Sequence, residues 1–138
     1  MNNERFTLSS LLSSLIEIEE KLSEFYQDAL MRNKGEDSTY YSQLYKEHEQ
    51  TEKAIEQVKR ETIIEFALEP ISGIEVKNSL ETIEGTILNQ MIDDRKKVSI
   101  IEEVTAKLFE EASTKVAHMS AEASMLLLNA NKRIKRRQ

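Results

Sequence analysis

LIEIEEKLSEFYQDAL, residues 15–30, reads as one face of an α-helix with a charge set into it. Leu8, Leu12, Leu15, Glu19, Leu22, Tyr26 and Ala29 follow each other at alternating spacings of four and three, the period of a single helix face. All are apolar except Glu19. A carboxylate on a buried stripe loses several kcal/mol of hydration unless it is protonated, paired or bound to a cation. What answers Glu19 is therefore the question that decides both fold and site.

Further along the chain the pattern returns. The spacing predicts a second helix over Ser38 to Leu68, with Tyr41, Leu44, His48, Thr51, Ile55, Val58 and Thr62 on its ladder and His48 and Thr51 as the polar positions. The intervening NKGEDST, residues 33–39, offers Gly35 to end the first helix and Asp, Ser and Thr to cap the second, so the two should fold back as a hairpin. Glu69-Pro70-Ile71-Ser72-Gly73 must break the second helix. Residues Ile74 to Asp94 carry a weaker helical pattern, read as a crossover helix that could also merge into the next. A third long helix is expected over Arg95 to Lys115, with Val98, Glu102, Thr105, Phe109 and Ala112 inward.

The two interrupted ladders are related by an offset of 83 residues, which superposes IEEKLSEFYQDA (18–29) on IEEVTAKLFEEA (101–112) and Glu19 on Glu102. The same offset carries Leu44 to Leu127, His48 to Asn131, and the loop near Gly35 to the stretch around His118. That implies a turn at His118 and a fourth helix over Ala121 to Arg136, with Ser124, Leu127, Asn131 and Ile134 inward. Two helical hairpins joined by a crossover follow, in the manner of a duplicated unit. If they pack into one bundle, Glu19, His48, Glu102 and Asn131 converge at one level of the core.

Composition narrows the chemistry. The 138-residue chain suits one domain (1–138), and its three glycines and one proline suit helices nearly throughout. It has no cysteine, so thiolate catalysis, disulfides and cysteine-held metals are excluded. The net charge is −6, yet NANKRIKRRQ, residues 129–138, holds five basic residues and no acidic one. No apolar run reaches the roughly 18 residues a membrane span needs, and the N-terminus lacks a secretion signal, so a soluble cytoplasmic protein is expected.

IEIEEKLSEFYQDAL (16–30) resembles the first helix of rubrerythrin-like members of the ferritin-like superfamily, where a metal-binding Glu precedes a Phe-Tyr pair by six residues. Residues 101–112 resemble its duplicate, which puts the family's glutamates at Glu19 and Glu102. The resemblance implies an all-α, ferritin-like four-helix bundle of two hairpins joined by a crossover containing a short helix. It also implies a carboxylate-bridged pair of iron or manganese ions, completed by Glu-x-x-His on the second and fourth helices. Here those positions read His48-x-x-Thr51 and Asn131-x-x-Ile134, so most of the ligand set is missing.

Two readings of Glu19, His48, Glu102 and Asn131 follow. In one, they form a hydrogen-bond network in which a protonated His48 lies between the carboxylates and Asn131 donates without adding charge. In the other, they bind one iron, manganese or zinc ion. The first, with no cofactor, makes the chain a non-catalytic or weakly metal-binding interaction module. The alternative is a metal-dependent oxidoreductase or peroxide-handling protein.

His118, with Glu122 four residues on, falls in the expected turn and is read as a surface residue. The basic tail is read as complementing a helix C-terminus, with an electrostatic contact to a partner as the functional version. Without aromatic interleaving it does not suggest specific nucleic-acid recognition. Leu11, Ile16, Leu30, Ile63 and Ile64 lie off the ladder, which suggests a homodimer or an unidentified protein partner.

Overall fold

The computed structural model describes residues 4–61 and 69–138. The chain is mostly helical, with α1 (Leu8–Arg32), α2 (Glu36–Arg60), α3 (Val76–Leu88), α4 (Asp94–Val116) and α5 (Ala121–Arg137), and two short strands, β1 (Arg5–Phe6) and β2 (Ile71–Ser72). Among the described residues no helix is long and apolar enough to cross a membrane.

α1 starts where the sequence can satisfy its free amides. The Thr7 hydroxyl accepts from the Ser10 amide at 3.1 Å, and the Ser10 hydroxyl accepts from the Thr7 amide at 2.8 Å, a reciprocal cap. Just before it, β1 pairs antiparallel with β2, joining Phe6 to Ile71. Strands of two residues are too short to carry a periodicity, so no sequence pattern announces them. They tie the start of α1 to the crossover.

The first turn differs from its expected form. Asn33, not Gly35, closes α1, its amide and its side chain both donating to the Ala29 carbonyl, at 3.0 and 2.7 Å. Gly35 takes φ +74° at the start of α2, a backbone conformation costly to any residue with a Cβ. Glu36 and Asp37 then fall in the first helical turn, where the helix dipole favours anions. The expected extension of α2 toward Leu68, with Thr62, lies outside the described residues.

α3 is a separate element. Val76 and Ile83 are buried and Leu80 and Ile87 half-buried, the face that packs on α4. Asp93 then caps α4 by accepting from the Lys96 amide at 2.8 Å. Lys97 buries its stem and donates to the Ile87 carbonyl at 2.7 Å, placing a cation on the open end of α3.

The directions of the long helices can be read from their cross-links. Ser113 with Ser124, Ala106 with Asn131, and Ser99 with Gln138 run in opposite senses, so α4 and α5 form an antiparallel hairpin closed by the turn around His118. α1 and α2 form the other hairpin. α2 runs parallel to α4, since Asp37 meets Arg95 and His48 meets Glu102. It runs antiparallel to α5, with Glu47 against Arg137 and Thr51 against Arg133. The two hairpins thus need the long connection that carries β2 and α3.

The core follows the ladders. Every ladder residue from Leu8 to Ala29, from Tyr41 to Val58 and from Val98 to Ala112 is buried, as are Leu127, Asn131 and Ile134; Ser124 is half-buried. Leu11 is fully buried inside the chain, and Ile16 and Leu30 are half-buried against the same core. These three therefore serve the chain's own packing, and Ile63 and Ile64 lie outside the described residues.

Candidate functional site

Glu19, His48 and Glu102 meet at the centre of the helices. Each is a ladder position on its own helix, so burial of the three apolar stripes carries them inward. His48 Nδ1 lies 2.9 and 3.0 Å from the two Glu19 oxygens, and Nε2 lies 2.7 Å from Glu102 Oε2. One ring thus spans two carboxylates from opposite sides. With both nitrogens protonated, each donates to a charged acceptor, a strong form of hydrogen bond.

Two residues that the sequence reading left out complete the cluster. Arg137, in the last turn of α5, donates through Nη2 to Glu102 Oε1 and through Nη1 to Glu47 Oε2. Glu102 is held by cations at both oxygens. Glu19, Glu102 and Glu47 against His48 and Arg137 give three negative and two positive charges, and the excess falls at Glu47, whose side chain reaches solvent. Tyr26 stacks at a tilt near His48, ring centroids 5.4 Å apart. Burial first, then the Glu102 charge, pushes its phenol well above its ordinary pKa, and it stays protonated.

Electrostatics follow from this packing. Burial by itself lowers the His48 pKa, but Glu19 and Glu102 outweigh it and lift the value from 6.5 to about 10. Burial raises Glu19, with His48 offsetting part of the effect. Burial also acts to raise Glu102, yet His48 and Arg137 together bring it below its ordinary value. The difference between the two glutamates is the guanidinium that only one of them has.

Asn131 does not join the cluster. Its amide donates to the Ala106 carbonyl at 2.6 Å, a bond within the α4–α5 hairpin. The side chain is buried at the expected level but spends its donor on backbone, and Arg137 supplies the interaction anticipated for it. Thr51 likewise bonds the Glu47 carbonyl at 3.1 Å and accepts from Arg133 at 3.2 Å. His118 is exposed and lies 2.8 Å from Glu69, not bonded to Glu122.

The donor set does not suit a two-metal centre. The glutamates and histidines that such a centre takes from the second and fourth helices are absent at His48, Thr51, Asn131 and Ile134. Both His48 nitrogens face carboxylates on opposite sides of the ring, leaving no shared point for an ion. Among the described residues, the carboxylates that do approach within 4.8 Å of one another are Glu20, Glu52 and Glu56, between α1 and α2. Burial first, then Glu20 and Glu56, raises Glu52 to about 7.

The basic tail is also reassigned in part. Arg137 is drawn into the core, Arg133 bonds Thr51, and Lys135 lies 3.0 Å from Glu110. Lys132 and Arg136 stay exposed. Arg137 could have been suspected from its place three residues beyond Ile134, but its chemistry alone suggested solvent.

Comparison with protein-family models, with curated proteins and with solved structures returns no match for this chain.

Proposed function

We propose that this chain is a ferritin-like four-helix domain, akin to the rubrerythrin pattern, whose centre is neutralised by its own imidazolium and guanidinium instead of by metal ions. On this reading it is a non-catalytic helical module that works by binding other molecules through its surface. The observation that carries the reading is the position of His48, with one ring nitrogen on Glu19 and the other on Glu102. A cation already made of protein occupies the space between the two glutamates.

Supporting this, α1, α2, α4 and α5 run up, down, down and up, with a single long crossover, the connectivity of ferritin-like bundles. The repeat that relates Glu19 to Glu102 falls on equivalent helices of the two hairpins. A base or metal ligand needs a free lone pair, and doubly donating His48 has none to offer. In this cluster the chain's own residues hold protons and charges in place, with His48 committed to two acceptors.

Metal analysis tests this directly. Protein purified without chelators, and again after anaerobic loading with iron or manganese, should carry only substoichiometric metal and show no rise in melting temperature. One or two ions per chain, lost in the combined Glu19→Ala and Glu102→Ala variant, would overturn the reading in favour of a metal-dependent oxidoreductase.

A further inference from the structure

Apolar surface on the described residues is unevenly placed. Met31, Leu88 and Met91 are 78, 78 and 91% exposed, and the only other large apolar side chain exposed among the described residues is Met125 at 55%. The first three share one end of the molecule. Arg32, next to Met31, donates to Asp94 at 3.2 Å, and Asp94 follows Met91 by three residues. Met31 lines a hollow between α1 and α2 with Ser38, Ser42 and Lys46, whereas Leu88 and Met91 extend the apolar surface at the C-terminal end of α3.

Leu88 also edges a cavity of about 370 Å³ between α1 and α3, with Phe25 and Ile87 in its lining. Its polar lining is mostly acidic: Glu24, Asp28 and Glu84, against Lys21, which lies 3.8 Å from Glu84. Glu24 and Asp28 have no ion-pair partner among the described residues. Lys21, Glu24 and Asp28 follow helix spacing, so the trough runs along α1. An apolar floor with carboxylates along its edge matches a helix with one apolar face and lysines or arginines beside it. Met91, just past the C-terminal end of α3, suits such a contact because its flexible thioether adapts to different side chains. An acidic peptide would set like charges against each other.

We propose that the trough between α1 and α3, extended by Leu88 and Met91, is a docking groove for a basic amphipathic helix of a partner protein. The partner's apolar side chains lie on Phe25, Ile87, Leu88 and Met91, and its cations meet Glu24 and Asp28. The proposal deepens the interaction reading above, but it uses none of the His48 cluster.

The test uses the full chain, labelled with nitrogen-15, and two synthetic helical peptides with the same leucine stripe, one with lysine and one with glutamate at the other positions. The lysine peptide should shift amides of residues 21–32 and 84–91, and the glutamate peptide should bind at least about tenfold more weakly. Leu88→Ser with Met91→Ser should weaken the lysine peptide about tenfold while the circular dichroism spectrum stays helical. Glu24→Lys with Asp28→Lys should reverse the preference. No binding, equal binding of both peptides, shifts mapping to other helices, or serine variants that bind as before would each overturn the proposal. So would a stable dimer burying the same amides, which would give the groove to a second copy. Metal found at the core would overturn the reading of the ion cluster and leave the groove intact, and absence of peptide binding would do the reverse.

Discussion

Nε2 of His48 stands 2.7 Å from Oε2 of Glu102, while the other nitrogen of the same ring reaches Glu19 on a different helix. The imidazole is the link between the two hairpins at their centre. Removing it leaves two buried carboxylates short of a partner, and His48→Ala should cost about 3–5 kcal/mol in urea unfolding. Replacing the group together, as Glu19→Leu, His48→Met and Glu102→Leu with Arg137→Met, should recover most of that loss, since a packed apolar cluster avoids desolvating four ions. A quadruple variant less stable than His48→Ala would show that the ions are needed for the fold itself.

The raised His48 pKa sets a pH dependence. The ordinary value of 6.5 becomes about 10 on folding, so this group's contribution is complete below pH 6.5 and is lost as pH rises through 10. Its size is roughly 3–5 kcal/mol. On the acid side Glu102, held below its ordinary 4.5, stabilises above that pH and loses its contribution as pH falls. Nitrogen NMR should find His48 doubly protonated at pH 8. A neutral His48 ring at pH 8 would contradict the charge balance described above.

Arg137 should behave as a core residue despite its place near the end of α5. Arg137→Ala strips Glu102 and Glu47 of their shared cation and is expected to cost about 2–3 kcal/mol, less than a fully buried charge because its side chain is 22% exposed. Arg137→Lys should restore only part, because an ammonium cannot fork between two carboxylates. Arg136→Ala, on an exposed neighbour, serves as the control and should change urea stability by less than about 0.5 kcal/mol.

Glu52 predicts an effect of opposite sign. Its pKa rises on folding to about 7, so its contribution is most favourable at low pH and is lost as pH rises through 7. Glu52→Gln should therefore raise the melting temperature at pH 8 and leave it nearly unchanged at pH 4. The gain should be about 1 kcal/mol, since the half-buried carboxylate keeps part of its hydration.

Asn131→Leu separates that residue from the ion cluster. It loses the bond to the Ala106 carbonyl and should cost about 1–2 kcal/mol. The His48 nitrogen shifts should be unchanged. A moved His48 signal would return Asn131 to the central network.

Much of the site was legible because helices translate spacing into direction. Glu19, His48 and Glu102 each occupy a four-three ladder whose other members are apolar, so burial of the stripe dictates where their side chains go. Glu47 and Arg137 do not lie on the ladders. Their long side chains reach the cluster from its edge, and a sequence pattern records where a Cα sits better than where a guanidinium ends. Asn131 shows the converse: its place was right, but a short amide takes the nearest carbonyl, and only the spacing of α4 and α5 sets which that is. The paired strands, Asn33 as the end of α1 and the role of Gly35 were missed for a related reason, being settled by local closure over too few residues for a period to develop.

By itself the sequence determined the helical period, the stretches where the chain must turn and the presence of ionisable groups on buried stripes, because each rests on neighbours within a few turns of one helix. Tertiary structure alone decided that Arg137 would reach Glu102 and Glu47, that Asn131 would bond the Ala106 carbonyl and that Glu52 would lie beside Glu20 and Glu56. Those outcomes depend on distances between helices, and a chain specifies such distances only through the packing of all its side chains at once.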